Sequence, residues 1–353
     1  MQVFECRSCV PTPAFVSTLI SVSRKYTNLS LRFKRCHPLL YAPAICFFLL
    51  LSACMSSVNA QPYAYVANAG SNTVAIINIG KSLMSGSVTV PTGPAGIAVT
   101  PDGSTIYVSS LNNGKVTALS TTTHSVLATI PVGTYPTRMA ISPHGSVVYV
   151  ADQGSNQISV ISTSTKTVTA KIPVGNHPTS VAFSPDGTHA YVTNAWSNTV
   201  SIINPQLHEV VATFNTAGAP IDVAVSPDSQ TVYVACVGNS TVTAYTRTGT
   251  LIKTMTGFAY PVAMAVTPGG TRVFVVDENN ASVSIIDTAT HTVMGRTQVG
   301  SLPTSVAISA DGTQAFVTNE FGLSLSVLST SSGAVLKTVP SIGVYPISVA
   351  TIP

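Results

Sequence analysis

Charge is scarce in this chain: only 8% of its 353 residues are Asp, Glu, Lys or Arg. The formal net charge of +4 is also misplaced as a clue, because six of the sixteen Lys and Arg (Arg7, Arg24, Lys25, Arg32, Lys34, Arg35) but only Glu5 of the twelve acids precede residue 61. The remainder carries ten bases against eleven acids. A nucleic-acid binder needs clustered cations to displace counterions from phosphate, and the body has neither surplus nor run of them. Cysteine is missing too. Five of the six, Cys6, Cys9, Cys36, Cys46 and Cys54, lie before residue 61, leaving Cys236 alone, so the body has no disulfide framework. The Cys6-Arg-Ser-Cys9 spacing falls in a segment that is removed or unpacked and preorganises no metal or redox site.

What is present is Val, Thr, Ser, Ala, Gly and Pro, a mixture that favours strands and turns over helices. The first sixty residues read as a leader. Their apolar run, Ala44 to Ala53, is too short for a stable bilayer-spanning helix, follows a basic segment and precedes small residues, as in a secretory signal. Two cleavage sites remain open: Leu51-Ser52-Ala53-Cys54 has the form of a bacterial lipobox, with Cys54 as the lipidated residue, and Val58-Asn59-Ala60 that of an A-x-A site. The basic part of the leader is unusually long, which leaves the true start codon open. The domains expected are therefore 1–60, leader, and 61–353, the folded body.

Within the body, Tyr65-Val66-Ala67-Asn68 recurs at Tyr107, Tyr149, Tyr191, Tyr233, Phe274 and Phe316, at spacings of 42, 42, 42, 42, 41 and 42. A fixed period of that length means a repeat architecture. The unit from Pro178 spells four short strands: Ser180 to Ser184, Tyr191 to Thr193, Thr199 to Asn204 and Glu209 to Phe214, the first turned by Pro185-Asp186-Gly187. The body opens on the second-strand motif, and Pro346 to Pro353 aligns with Pro178 to Pro185. The expected fold is an all-β, seven-bladed β-propeller of four-stranded antiparallel blades, the first closed by the C-terminal strand through burial of Ile347, Val349 and Ile352.

Tyr191-Val192-Thr193-Asn194 and Ser184-Pro185-Asp186-Gly187 carry a family signature, which Phe316 to Asn319 nearly repeats. On these residues the chain resembles the YVTN β-propeller repeat proteins, from about residue 61 to its end. That resemblance implies an exported propeller, related to surface-layer and lactonase-like propellers. WD40 repeats fit less well, since the single Trp196 cannot supply a Trp-Asp pair per blade.

In a propeller, the inter-blade loops and the loops after each second strand share the face around the channel mouth, where ligands of propellers usually sit. Each inter-blade loop ends in a proline: Pro94, Pro136, Pro178, Pro220, Pro261, Pro303 and Pro346. Before these prolines stand Gly93, Tyr135, His177, Ala219, Tyr260, Leu302 and Tyr345; two positions after come Gly96, Arg138, Ser180, Asp222, Ala263, Ser305 and Ser348. The second-strand loops add Asn68, Asp152, Asn194, Trp196, Asp277, Glu278, Asn319 and Glu320. The candidate ligand-binding set is Tyr135, Arg138, His177, Trp196, Asp222, Tyr260 and Tyr345, suited to a small polar or anionic ligand. A bland reading stands beside it, in which the aromatics pack over blade ends and Arg138 pairs with Asp222 or a nearby carbonyl.

His124, His208 and His291 fall in turns between third and fourth strands, His144 in a Pro-x-Gly turn and His189 before a second strand. Only His177 reaches the mouth, so no metal site or cofactor is expected. No Gly-x-Ser-x-Gly occurs, and Cys236 reads as a small buried hydrophobe. His177 with Asp222 is the one acid–base pair that can be offered. The regularity of the blades favours a non-catalytic exported binding or scaffold protein of the periplasm or cell surface. That protein would be a monomer, meeting a small ligand or a protein partner and touching a membrane only through a lipid anchor. The alternative is a lactonase-like hydrolase or lyase using Arg138, His177 and Asp222 at the same mouth.

Overall fold

The computed structural model describes residues 63–352. The leader, both cleavage sites and Cys54 lie outside the described residues. Twenty-eight strands form seven four-stranded antiparallel sheets. Blades are numbered here from the N-terminal end. Blade 1 consists of Pro346–Thr351 innermost, then Tyr63–Asn68, Thr73–Asn78 and Leu83–Thr89. The closing strand pairs Val66 with Val349, Tyr65 with Ala350 and Ala64 with Thr351. The seven-bladed, C-terminally closed propeller read from the sequence is the fold.

Closing a loop of this length costs about 5 kcal/mol by chain statistics. Ladder hydrogen bonds at about 1 kcal/mol each and burial of Val349 offset it. Here the structure corrects one expectation, because only Val349 of the three apolar residues named for closure is buried. Ile347 is half-buried, and Ile352 is half-buried against the cluster shared by blades 1 and 2.

Seven apolar clusters, one at each blade junction, form the core. The aromatic of each second-strand motif is the piece that crosses to the next blade. Tyr149 of blade 3, for example, packs with Val181, Val192 and Ile203 of blade 4, and Phe316 of blade 7 with Ala64, Val66 and Val349 of blade 1. All seven motif aromatics are fully buried. Four of the five tyrosines also bond a turn of the next blade: Tyr65 to His124, Tyr149 to His208, Tyr233 to His291, and Tyr191 to the carbonyl of Arg247. The histidines placed in turns by sequence are thus blade fasteners.

Two bulges recur in each blade. One lies between third and fourth strands, as at Val160/Ile161 in blade 3. The other sits in the innermost strand just after its proline, as at Pro220/Asp222 in blade 5. A bulge re-aims one side chain without disturbing the rest of the ladder. It turns the second residue after each proline into the channel.

Deleting residues 346–353 is expected to lower the melting temperature by about 10 °C or more and to promote aggregation through the exposed edge of Tyr63–Asn68. An unchanged melting curve in a calorimetric scan would refute closure by this strand.

Candidate active site

The inward-turned residues meet on the axis. A polar cavity of about 150 Å³ is lined by Gly96, Arg138, Ser180, Asp222, Ala263, Ser305 and Ser348 with the residues that follow them. Its content is decided by one cross-brace. Arg138 reaches from blade 3 to Asp222 of blade 5 (Nη1 to Oδ1, 2.8 Å), and its Nη2 donates to the carbonyls of Val262 in blade 6 (2.9 Å) and Thr304 in blade 7 (3.4 Å). Asp222, with its side chain 9% exposed, also accepts from Ser180 Oγ (2.7 Å) and the Met264 amide (2.7 Å). The two charges of the ring therefore pair with each other and with the surrounding strands, as the bland reading had it for Arg138.

The residue before each proline follows different rules. Tyr135, His177, Ala219, Tyr260, Leu302 and Tyr345 all have φ between 45° and 61°, and Gly93 has 71°. Left-handed backbone is disfavoured for residues with a Cβ, and the structure holds it here by a repeated bond. Each of these carbonyls accepts the first amide after a second strand: Gln153 to Tyr135, Ala195 to His177, Glu278 to Tyr260, Ala69 to Tyr345 and so around the ring. The turn lifts the side chain onto the face above the blades, where Tyr135, Tyr260 and Tyr345 are exposed.

At blades 3 and 4 these side chains enclose a groove of about 630 Å³ lined by Tyr135, Gln153, Gly154, Asn156, Asn176, His177 and Trp196. The Tyr135 ring lies so close over Gly154 that a Cβ there would meet its Cδ2 at 2.6 Å, and Tyr345 lies over Gly70 in the same way. Trp196 stands at the repeat position of Gly70 and Gly154. With no room for a ring beneath a ring, His177 and Trp196 stack face to face instead, centroids 4.1 Å apart and planes 8° from parallel. Trp196 remains 74% exposed, presenting a flat aromatic face.

Gln153 Nε2 donates to His177 Nδ1 (3.1 Å), while the His177 amide donates to Asn156 Oδ1 (2.8 Å). The proton then sits on Nε2, which no protein group engages among the described residues. Partial burial holds the His177 pKa below its ordinary value, so the ring is neutral at pH 7. Gln153, Asn156 and Asn176 were missed by sequence reasoning. Gln153 alone left a signal, as a polar residue where blades 1, 2, 4 and 5 carry Ala69, Leu111, Ala195 and Val237.

Other expectations are corrected. His177 and Asp222 are not a pair: one faces the groove, the other the axial cavity. Asn68, Asp152, Asn194, Asp277 and Asn319 are fully buried strand ends rather than loop residues. Asn194 donates to Thr199 and Ser201, Asp152 accepts from Ser159 and Gln157, and burial raises the Asp152 and Asp277 pKa values. Trp196, Glu278 and Glu320 do reach the face. Burial raises both glutamate pKa values, and for Glu278 the neighbouring Glu320 charge adds to it. Burial pushes the Cys236 thiol up to about 11, so it is inert near neutrality.

A family model described as a lactonase, 7-bladed beta-propeller, matches residues 55–170, and a YNCE-like beta-propeller model matches residues 136–252. The chain is thus similar to lactonase-type seven-bladed propellers. Among solved structures, hydrazine synthase of Kuenenia stuttgartiensis is 23% identical, with a TM-score of 0.71 over 76% of this chain and 92% of that one. A candidate 6-phosphogluconolactonase of Bacteroides uniformis is 16% identical (TM-score 0.71, 83% and 100%). The periplasmic gluconolactonase of Pseudomonas aeruginosa is 17% identical (0.70, 83% and 99%). No curated protein matches the chain. These likenesses correct the expectation of a non-catalytic scaffold, since the lactonase model and the gluconolactonase neighbours stand with the hydrolase alternative. The groove is made by side chains of two blades and leaves every backbone repeat intact.

Arg138→Ala would leave Asp222 buried without its cation, at a cost of about 3–5 kcal/mol. Thermal melts should show Arg138→Ala well below wild type and Arg138→Ala/Asp222→Ala above the single variant.

Proposed function

We propose that this protein is an exported propeller of the YVTN type that hydrolyses a small sugar lactone in the groove between blades 3 and 4. The observation that carries the reading is the His177–Trp196 stack: an exposed indole lying face to face on a neutral imidazole whose orientation Gln153 fixes. The apolar face of a sugar ring lies on such a surface, and Tyr135 bounds the other side. Lactone opening needs a donor where negative charge develops on the acyl oxygen as water attacks the carbonyl carbon. His177 Nε2–H supplies that donor; the ring carbon–oxygen bond then breaks, and the leaving alkoxide takes up the proton the water gives up. The groove contains no Lys or Arg, which favours an unphosphorylated aldonolactone over a phosphorylated one.

Tyr260 and Tyr345 extend the rim on blades 6 and 1, while Arg138 and Asp222 hold the floor together. The basic leader supports export to the periplasm or cell surface, the protein acting as a monomer. Fatty-acid labelling of wild type and Cys54→Ala distinguishes a lipid anchor at Cys54 from release at Ala60.

With gluconolactone as substrate, His177→Ala should lower kcat/KM by about 100-fold or more. Trp196→Ala should raise KM by about 3- to 10-fold with kcat nearly kept. Protonation at Nδ1 leaves the Nε2–H donor in place and strengthens it, so kcat/KM should rise rather than fall as the pH drops through the His177 pKa, at a midpoint below the unperturbed 6.5 because burial lowers it. Lack of turnover over a panel of aldonolactones would refute the reading.

A further inference from the structure

On the opposite face of the ring, one of the five motif tyrosines lacks the bond that the other four make. Lys166 in blade 3 occupies the position of His124, His208 and His291 in blades 2, 4 and 6, and shares their left-handed backbone (φ 56° against 53°, 55° and 51°). Those histidines bond the buried tyrosines of the preceding blades. Lys166 does not; its Nζ reaches only the Thr163 carbonyl, at 3.5 Å. Tyr107, fully buried, is left with a hydroxyl that has no protein partner.

A cavity of about 490 Å³ opens at that place, lined by Tyr107, Lys166, His144, Thr163, Ser164 and the Thr100–Thr105 turn. We infer that this cavity is a second binding site, for a small hydroxylated carboxylate. The Lys166 ammonium keeps donors free for a carboxylate, and the Tyr107 hydroxyl and the Ser164 and Thr105 side chains match ligand hydroxyls. The neighbouring Asp102 is committed to the walls, bonding Thr100 Oγ1 (2.5 Å) and the amide and hydroxyl of Ser104 (3.0 and 2.9 Å). An orphaned buried hydroxyl costs about 1–3 kcal/mol, and a ligand group bonded to it recovers that. The site shares no residue with the groove of blades 3 and 4 and does not depend on the activity proposed there.

Calorimetric titration of the full protein with gluconate, glucose and inorganic phosphate tests the inference. Two variants keep the fold: Tyr107→Phe, since Phe274 and Phe316 fill the same position in blades 6 and 7, and Lys166→His, which restores the residue of three other blades. Saturable gluconate binding is expected, weakened at least 10-fold in either variant and unchanged in Trp196→Ala, with glucose and phosphate each at least 10-fold weaker than gluconate. Lys166→His should also raise the melting temperature by bonding Tyr107. The inference is overturned by absence of saturable gluconate binding, by binding that Trp196→Ala removes while Tyr107→Phe and Lys166→His do not, or by glucose or phosphate binding as tightly as gluconate.

Discussion

The structure depends on burial of one aromatic side chain per blade against the sheet that follows. A four-stranded sheet cannot hide both faces by itself, and here each is sandwiched between two others, so the ring is stable only when every junction is made. The junction of blades 7 and 1 contains Phe316 on one side and Val349 on the other, which makes the terminal strand part of the same apolar system. Closure is therefore a packing requirement as much as a hydrogen-bonding one.

Around the axis the same logic takes a polar form. Threonines one residue after the prolines donate to the inner strand of the next blade, Thr137 to Thr179, Thr179 to Pro220 and Thr304 to Pro346. Arg138 adds diagonals to that circle by joining blades that are not neighbours. The buried charge of Asp222 is tolerated because half-buried Arg138, Ser180 and the Met264 amide surround it.

The period, the blade count, the strand that closes the ring and the residues facing the channel could all be read from the sequence. Each follows from a spacing: the recurring Tyr/Phe-Val motif counts blades, and the proline fixes which residue points inward. The groove could not be read so directly. It depends on the left-handed turn at His177 and on a contact between residues nineteen positions apart, His177 and Trp196, and no local periodicity records either. Placing His177 beside Asp222 treated two positions around the proline as one neighbourhood, although the bulge sends Asp222 into the channel while the preceding turn lifts His177 above it. Tyr107 and Lys166 look ordinary in the sequence until the partners of the other motif tyrosines are known.

The bulge after each proline confines variation at the axis to one residue per blade, because the flanking ladder keeps its register whatever that side chain is. The lining of the channel therefore presents seven positions on one frame, three of which, Arg138, Ser180 and Asp222, are tied to one another. Six are now small or neutral-polar residues or an acid, and one is a base. A charge introduced at Ser348 would reset the electrostatics of the whole lumen, whereas one at Ser305 would also take the acceptor from the Val349 amide of the closing strand.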